Sequence, residues 1–381
     1  MADKSRNGGC LLALGYLLLA IALLILFVGE IFSAKNGDML KEVGTSVVEA
    51  DSLAVMDTTL EGKAIHAVGL ATTPDILSDE DFGFSANAIY LKRNVLYYQL
   101  IETSYEEVVG EDEEGDDITE TRYEYHYGWA KEPVSSRHFY ERRYRDTNFV
   151  LQEISTAESW ARNVNFGAYR LSEVLIRQMT SCTGALTDNV APEALEKWNE
   201  KLIPHFGSPR QYVRPNGTNI YFGAHPDSPR VGDVRVSFDV VLPQEVSLLC
   251  SVAGDSLSYY YSPNKARMAV LKQGNHPAEE LIKAQGEDNS DTTASSRAVG
   301  FLQLFFGLWI MIKGYEKRSG LSRFGEFLVR GSRPWLSALI LSVGGSFALC
   351  SLPWFFYNPG TASIFLAIGA GILAAYYFFT K

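Results

Sequence analysis

The residues able to do chemistry are scattered rather than gathered. The six histidines, His66, His126, His138, His205, His225 and His276, lack the H-x-x-x-H or H-x₂₋₅-H spacing of zinc sites. The acidic run of Glu111, Asp112, Glu113, Glu114, Asp116 and Asp117 offers many oxygens. A calcium loop, however, holds about 6–8 oxygens in fixed alternation, with glycine sixth and glutamate twelfth. That spacing is absent, so the run reads as a solvated hairpin tip. Of the four cysteines, Cys10 and Cys350 fall in or beside apolar stretches, and Cys182 and Cys250 in the polar body. In an oxidising compartment the latter two would be able to pair if their Cα atoms lay about 5.5–6 Å apart; two buried free thiols are the other reading. No C-x-x-C, G-x-S-x-G, G-x-G-x-x-G or G-x-x-x-x-G-K-[ST] pattern occurs, so no nucleophile elbow or phosphate cradle is assigned and no catalytic residue, metal or cofactor is expected. A hydrolase would have to gather a histidine, an acid and a serine or cysteine from distant segments.

The elements that would position such groups are set by an uneven distribution of charge. With 381 residues, 46% apolar and 21% charged, and a mean hydropathy of -0.04, the chain resembles an average soluble protein. Yet residues 34–297 hold 41 of the 45 acidic and 25 of the 34 basic side chains, a net of −16, against +5 elsewhere. No charge occurs from Asn7 to Gly29, nor between Arg333 and Lys381. Apolar stretches of that length are what a hydrocarbon layer about 30 Å thick selects. A freely soluble protein is thereby excluded. Nucleic-acid binding through the body is excluded too, because an acidic surface repels phosphate.

Four spans are expected. The first, residues 11–32, is built on Leu11–Val28 behind Lys4 and Arg6. It is longer than the apolar stretch of a cleaved leader, and Ile31-Phe32-Ser33-Ala34 has a bulky residue where cleavage wants a small one, so it reads as a signal anchor. The second, 297–313, is short and bracketed by Arg297 and Lys313, which can snorkel. Pro353 and Asn358-Pro359-Gly360 divide the charge-free tail into 334–356 and 361–380. Small residues at helix-packing spacing, Ser342 with Ser346 and Ala367 with Gly371, suit a packed bundle that self-associates. Lys4 and Arg6, and Lys313, Lys317, Arg318, Arg323, Arg330 and Arg333, fall in short segments that the positive-inside rule assigns to the cytoplasm. Residues 1–10, the 314–333 loop and the C-terminus are therefore expected there, and 33–296 in periplasm or lumen. In the loop, Leu321, Phe324, Phe327 and Leu328 share a helical face with Arg323, Glu326 and Arg330 off it. Arg318, Arg323, Phe324, Phe327 and Arg330 are thus candidates for contact with anionic lipid or a partner, the plainer reading being an amphipathic linker.

The exocytoplasmic region alternates with period two. In 119–129, Thr121, Tyr123, Tyr125, Tyr127 and Trp129 share one face, and Glu120, Arg122, Glu124 and His126 the wet one. This strand is expected to pair with 95–105 across the acidic run. Val234, Val236, Phe238, Val240 and Leu242 repeat the pattern, and 246–252 and 257–261 follow as strands. Helices are expected at 172–180, 192–202 and 277–285. The fold class is thus a multi-pass α-helical membrane protein with four spans and a large mainly-β (α+β) exocytoplasmic domain, with two subdomains at 47–160 and 205–275. Asn216-Gly217-Thr218 is a glycosylation acceptor if the host has an endoplasmic reticulum.

Leu77-Ser78-Asp79 and Phe82-Gly83 before a strand, Thr121-Arg122-Tyr123 running to Trp129, and VGDVRVSF at 231–238 lie between one anchor and three clustered spans. In this order of parts the chain resembles the transmembrane protein 43 (LUMA) family over nearly its whole length. The matching stretches are not catalytic, so no active-site residue carries over. The resemblance implies a four-span scaffold. Animal members are linked to the endoplasmic reticulum and inner nuclear membrane with emerin and lamins as partners, and bacterial relatives have been proposed as membrane platforms for signalling or defence effectors. With ten residues before span one and almost none after span four, this chain leaves a cytoplasmic partner chiefly the 313–334 loop, which fits a bacterial inner-membrane member better than an endoplasmic-reticulum one. The expected function is a non-enzymatic organiser that self-associates and recruits lipids or membrane and signalling proteins. A sensor binding a small or lipid ligand between the β-rich halves is the alternative.

Overall fold

The computed structural model describes residues 2–50, 53–111, 117–149, 154–185, 190–206, 212–318, 322–331 and 333–380, and among them seven helices. Their order is α1 Ala2–Ser46, α2 Glu173–Ile176, α3 Pro192–Phe206, α4 Ala278–Glu316, α5 Arg323–Leu328, α6 Pro334–Tyr357 and α7 Pro359–Phe379. Four of these, α1, α4, α6 and α7, are long and apolar enough to cross a membrane, and the rest of the described chain is mainly strand. The expected fold class is the one observed.

Two of the four helices do not stop where hydrophobicity does. At 1.5 Å per residue, the 45 residues of α1 and 39 of α4 run about 68 and 58 Å, roughly twice the hydrocarbon thickness. The sequence places the first span at 11–32 and the second at 297–313. The helices instead continue to Ser46 and begin at Ala278, so the expected 277–285 helix is the outer end of α4. Neither extension contains a proline that would break it. Past the apolar stretch the two helices stay paired through Asn36 Nδ2 donating to Asn289 Oδ1 at 3.1 Å. Met39, Val43 and Leu281 then pack with Leu249, Tyr260 and Met268 under the domain.

Inside the bundle the α1/α4 seam has a seven-residue period. Gly300, Gly307 and Gly314 face Leu26, Leu18 with Leu19, and Leu12, and a Cβ on any of them would approach within 3.2 Å. Glycine lets the antiparallel backbones close where a side chain would hold them apart. In α6, Pro353 lies within the helix and does not end it. The break is at Asn358, in an extended conformation, whose Oδ1 accepts from Thr361 N at 3.3 Å and so caps α7. Gly369 of α7 packs on the backbone of Gly344 and Ala348, whereas Ala367 and Gly371 face outward.

Among the described residues the domain has two seven-stranded sheets and two small two-stranded ones. In the first, Ala64–Thr72 pairs antiparallel with Gln244–Ala253, Cys250 opposite Ile65 and Leu248 opposite Ala67. The pairings run on through Asn165–Phe166, Tyr169–Leu171 and Ser256–Ser258 and return to Gln244–Ala253, a closed circuit. In the second, Tyr90–Glu111 lies between Val234–Val241 and Asp117–Ala130. Each sheet therefore takes strands from both 47–160 and 205–275, so the expected division into two subdomains along the chain is not the one the strands make. The physical reason is burial: 246–252 is buried along its whole length, so this strand is central and pairs with Ala64–Thr72 on one edge and with Val270–Gln273 and Ser256–Ser258 on the other. The expected 172–180 helix shrinks to the single turn α2, because Gln178 leaves the helical pattern to bond Ala269 O and Leu271 N.

Candidate interaction surfaces and the charged clasps

The ends of the bundle differ in chemistry. At one end the start of α1, the bend between α4 and α6, and the end of α7 converge: Gly8 approaches Gly314 and Lys317, and Tyr376 hydroxyl donates to Leu328 O at 3.3 Å. There α5 is capped by Ser322, whose Oγ accepts from Gly325 N at 3.1 Å. Arg318, Arg323 and Phe324 are exposed, and Arg330 is exposed with its guanidinium 4.9 Å from the Tyr377 ring centroid. Phe327 and Leu328, expected on the lipid-facing side, turn into the bundle, Phe327 edge-on to Tyr376 at 5.4 Å. Leu321 lies outside the described residues. The five candidates thus form a rim of four outward groups with Phe327 as the anchor beneath.

At the opposite end Glu30, just past the first apolar run, meets Arg297, expected to snorkel at the start of the second span, at the rim of the helix bundle. Glu30 is 1% exposed and takes three donors: Arg297 Nε at 2.5 Å, Arg297 Nη2 at 2.9 Å and Trp354 Nε1 at 2.5 Å. A buried carboxylate needs such saturation, since an unpaired one would lose its hydration for nothing. One carboxylate thereby ties α1, α4 and α6. The sequence held a signal for this, because Glu30 interrupts α1 just past its apolar run, but nothing local says that it faces inward.

A second clasp lies where the long helices meet the domain. His66, 4% exposed in Ala64–Thr72, reaches Glu49 Oε2 with Nδ1 at 2.5 Å and the His276 carbonyl with Nε2 at 3.0 Å. A carbonyl only accepts, so Nε2 carries a proton. Glu49 follows α1 and His276 precedes α4, and His66 therefore joins the outer ends of both helices. His276 in turn bonds Glu280 at 3.1 Å, and Lys272 Nζ donates to the same carboxylate at 2.5 Å. Those two groups hold Glu280 below the usual carboxylate range.

The aromatic strand makes an arm. Pairing between Tyr90–Glu111 and Asp117–Ala130 runs from Tyr97 opposite Ala130 to Glu111 opposite Asp117, as expected. From Thr103 outward every residue of the first strand is exposed, about 30 Å of ribbon at 3.4 Å per residue. Tyr105, Val108, Val109 and Ile118 are exposed on it; residues 112–116 of the acidic run lie outside the described residues. Nearer the body the tyrosine face is covered at two positions, Tyr140 stacking on Tyr123 at 4.3 Å and Tyr144 tilted on Tyr125 at 4.2 Å, while Tyr127 stays exposed. His126 stays exposed, on the wet face.

The remaining polar groups serve the fold. Asp233 accepts from Tyr221 hydroxyl at 2.5 Å and Arg230 N at 2.8 Å, and burial pushes its carboxyl up against those donors. Asp79 is raised by burial, opposed by Arg93 at 2.9 Å. All four cysteines are free. The Cys182 and Cys250 pairing does not form: Cys182 Sγ donates to Thr180 O at 3.3 Å, and Cys250 is enclosed in the first core, its thiol pushed up to about 12 by complete burial. Asn216 sits at the turn between Val213–Asn216 and Asn219–Phe222, where Gly217 takes φ +63. Among the described residues no three His, Cys, Asp or Glu side chains converge as a metal would need.

Comparison with known proteins shows what the chain is similar to. The family profile described as Transmembrane protein 43 matches residues 97–359. Transmembrane protein 43 of Rattus norvegicus is 29% identical over 374 residues, covering 95% of this chain and 87% of the relative. The Homo sapiens protein is 28% identical over 369 residues, covering 93% and 86%. The Drosophila melanogaster homolog is 25% identical over 332 residues, covering 84% and 81%. No solved structure matches the chain.

Proposed function

The chain belongs to the transmembrane protein 43 family, and from that premise we propose that it is a membrane organiser, acting without catalysis, that associates with its own copies and gathers lipids and membrane or signalling proteins around them. The observation that carries this reading is on α7. Ser363, Ala367, Gly371 and Ala375, spaced by four, are all exposed on the outside of the bundle. Such a row on a membrane helix admits a second helix at close range, and van der Waals packing then drives association. In this reading the arm with Tyr105, Val108, Val109 and Ile118 presents contact area on the domain side. The rim of Arg318, Arg323 and Arg330 meets anionic lipid or an effector on the other. By the positive-inside rule that rim, with both termini, faces the cytoplasm, and in this reading the membrane is a bacterial inner membrane. The two carboxyls that burial raises among the described residues, Asp79 and Asp233, are tied into local hydrogen bonds, which supports a structural role for them.

The test is purification of the full chain in mild detergent with its mass in solution measured. A multimer that Gly371→Leu reduces to a monomer, with unchanged thermal stability, supports the proposal. A monomeric wild type, or a multimer indifferent to Gly371→Leu, removes self-association through α7 from it.

A second reading, a sensor with a ligand between the two sheets, is favoured by one cavity. A space of about 590 Å³, within the range of small-molecule sites, is lined by Glu158 and Trp160 from one sheet and Leu171, Glu173 and Arg177 from the other sheet and α2. The buried Trp160 Nε1 has no partner among the described residues. Native mass spectrometry of the extracted protein, with Trp160→Phe as control, would find a bound small molecule lost in the variant.

A further inference from the structure

Beside the Glu30 clasp, on the same rim of the bundle, a groove of about 300 Å³ opens between α1, α4, α6 and α7. Its walls are Leu26, Phe301, Phe347 and Phe365, and its polar groups are Arg297, Cys350 and Ser346. The helices that form it are those apolar enough to cross a membrane, so what surrounds it is lipid. Two observations point to an occupant with a polar end. Arg297 gives two of its five N–H groups to Glu30, and its side chain is 42% exposed, with the guanidinium 5.6 Å from the Phe365 ring centroid. Ser346 Oγ is buried with no partner among the described residues. In a membrane helix a serine hydroxyl ordinarily finds a carbonyl one turn back, as Ser342 does with Leu339 O at 2.8 Å. An orphaned hydroxyl in an apolar groove is costly unless something supplies an acceptor.

The arrangement has depth. Both Cys350 and Ser346 line the groove, and Ser346 lies one turn, about 6 Å, further toward the bilayer centre. Arg297 is likewise one turn outward of Phe301 on α4. From the rim inward the groove therefore offers a cation beside the Phe365 ring and then, about one turn deeper, the Ser346 hydroxyl among the rings of Phe301 and Phe347. A glycerophospholipid of the domain-side leaflet has the matching order: phosphate, ester carbonyl, acyl chain. We infer that this groove is a phospholipid site in which the phosphate meets the free N–H groups of Arg297, an ester carbonyl accepts from Ser346, and one chain lies along Phe301 and Phe347. Because Glu30 already balances the guanidinium, the site needs no net negative charge and takes a zwitterionic phospholipid, for which phosphatidylcholine serves as the probe. That distinguishes it from the cationic rim at the other end, whose attraction depends on anionic lipid.

The test uses the full chain in phosphatidylcholine nanodiscs carrying a trace of phosphatidylcholine with a photoactivatable acyl chain. Adducts mapped by mass spectrometry concentrate on the peptides bearing Phe301 and Phe347. Ser346→Phe, which fills the groove, lowers them by about tenfold, the ratio produced by losing roughly 1.4 kcal/mol of binding. Adducts on the exposed Phe378 and Phe379 stay constant as the reference. Should Ser346→Phe fail to fold, Ser346→Ala is read instead by native mass spectrometry after extensive detergent washing: wild type keeps phosphatidylcholine and the variant loses it. Adducts at Phe301 and Phe347 no richer than at Phe378, or unchanged in Ser346→Phe, overturn the site. So does a wild type washed free of phospholipid.

Discussion

Glu30 and Arg297 stand 267 positions apart in the chain and share two hydrogen bonds, Nε to Oε1 and Nη2 to Oε2, at the rim of the membrane helices. Removing one partner leaves the other as an unbalanced charge in an apolar setting. Glu30→Gln is expected to cost toward the lower end of about 3–5 kcal/mol, lower because Arg297 is 42% exposed and can turn to the headgroups. The double variant Glu30→Leu with Arg297→Leu is expected to recover most of that loss. Thermal unfolding in detergent reads both; equal losses for single and double variants would count against the pair.

The glycine seam gives a contrast between two positions. Gly307→Leu sets a side chain against Gly15 O and Leu19 N, both backbone, and is expected to destabilise the bundle by about 1–3 kcal/mol or more through overpacking. Gly371→Leu meets nothing within 4 Å and is expected to leave the melting temperature unchanged. Side-by-side melting curves check this.

Asp75 Oδ2 accepts from the amides of Arg162 and Asn163 at 2.8 and 2.9 Å, and Oδ1 from Asn163 Nδ2 at 3.0 Å, which holds its carboxyl below the usual range. A lowered carboxylate contributes stability that is whole above its unfolded value, about 3.9, and fades as pH falls through the folded one. The gap in denaturant midpoint between wild type and Asp75→Asn is therefore expected to be constant near neutrality and to narrow below about pH 4. A gap that widens in acid would contradict the assignment.

Charge reversal of Arg323 and Arg330 to Glu is expected to weaken co-sedimentation with anionic liposomes and to leave binding to phosphatidylcholine liposomes as it was. No change with anionic lipid would detach the rim from that role.

Cys250, fully enclosed with its thiol pushed up to about 12, is expected to resist alkylation in the folded protein at neutral pH and to react only on unfolding. Peptide mapping is also expected to recover Cys182 and Cys250 without a linking disulfide under non-reducing conditions.

Local patterns made part of this molecule legible in advance. The apolar runs marked all four membrane helices, and the alternation in TRYEYHYGW marked its strand and partner, because both depend on neighbours in the chain. The Gly300, Gly307 and Gly314 row was written in the sequence at the same seven-residue spacing as Leu12, Leu19 and Leu26, and only its reading as a seam needed the fold. The continuation of α1 past Glu30 was hidden, since leaving the hydrocarbon changes which side chains suit a helix without ending its hydrogen bonds. His66 meeting the His276 carbonyl, or Ala64–Thr72 pairing with Gln244–Ala253, depends on segments some 180 to 210 residues apart. No local pattern encodes a pairing whose partner is that distant.

The unbroken course of α1 and α4 from one face of the bilayer into the domain has a mechanical consequence. Two rods joined along their length, and fastened again at His66, leave no hinge at the water boundary. A thicker or thinner bilayer would therefore be answered by tilting the whole body, swinging the tip of the hairpin through an arc and converting local membrane thickness into the height at which that tip is held.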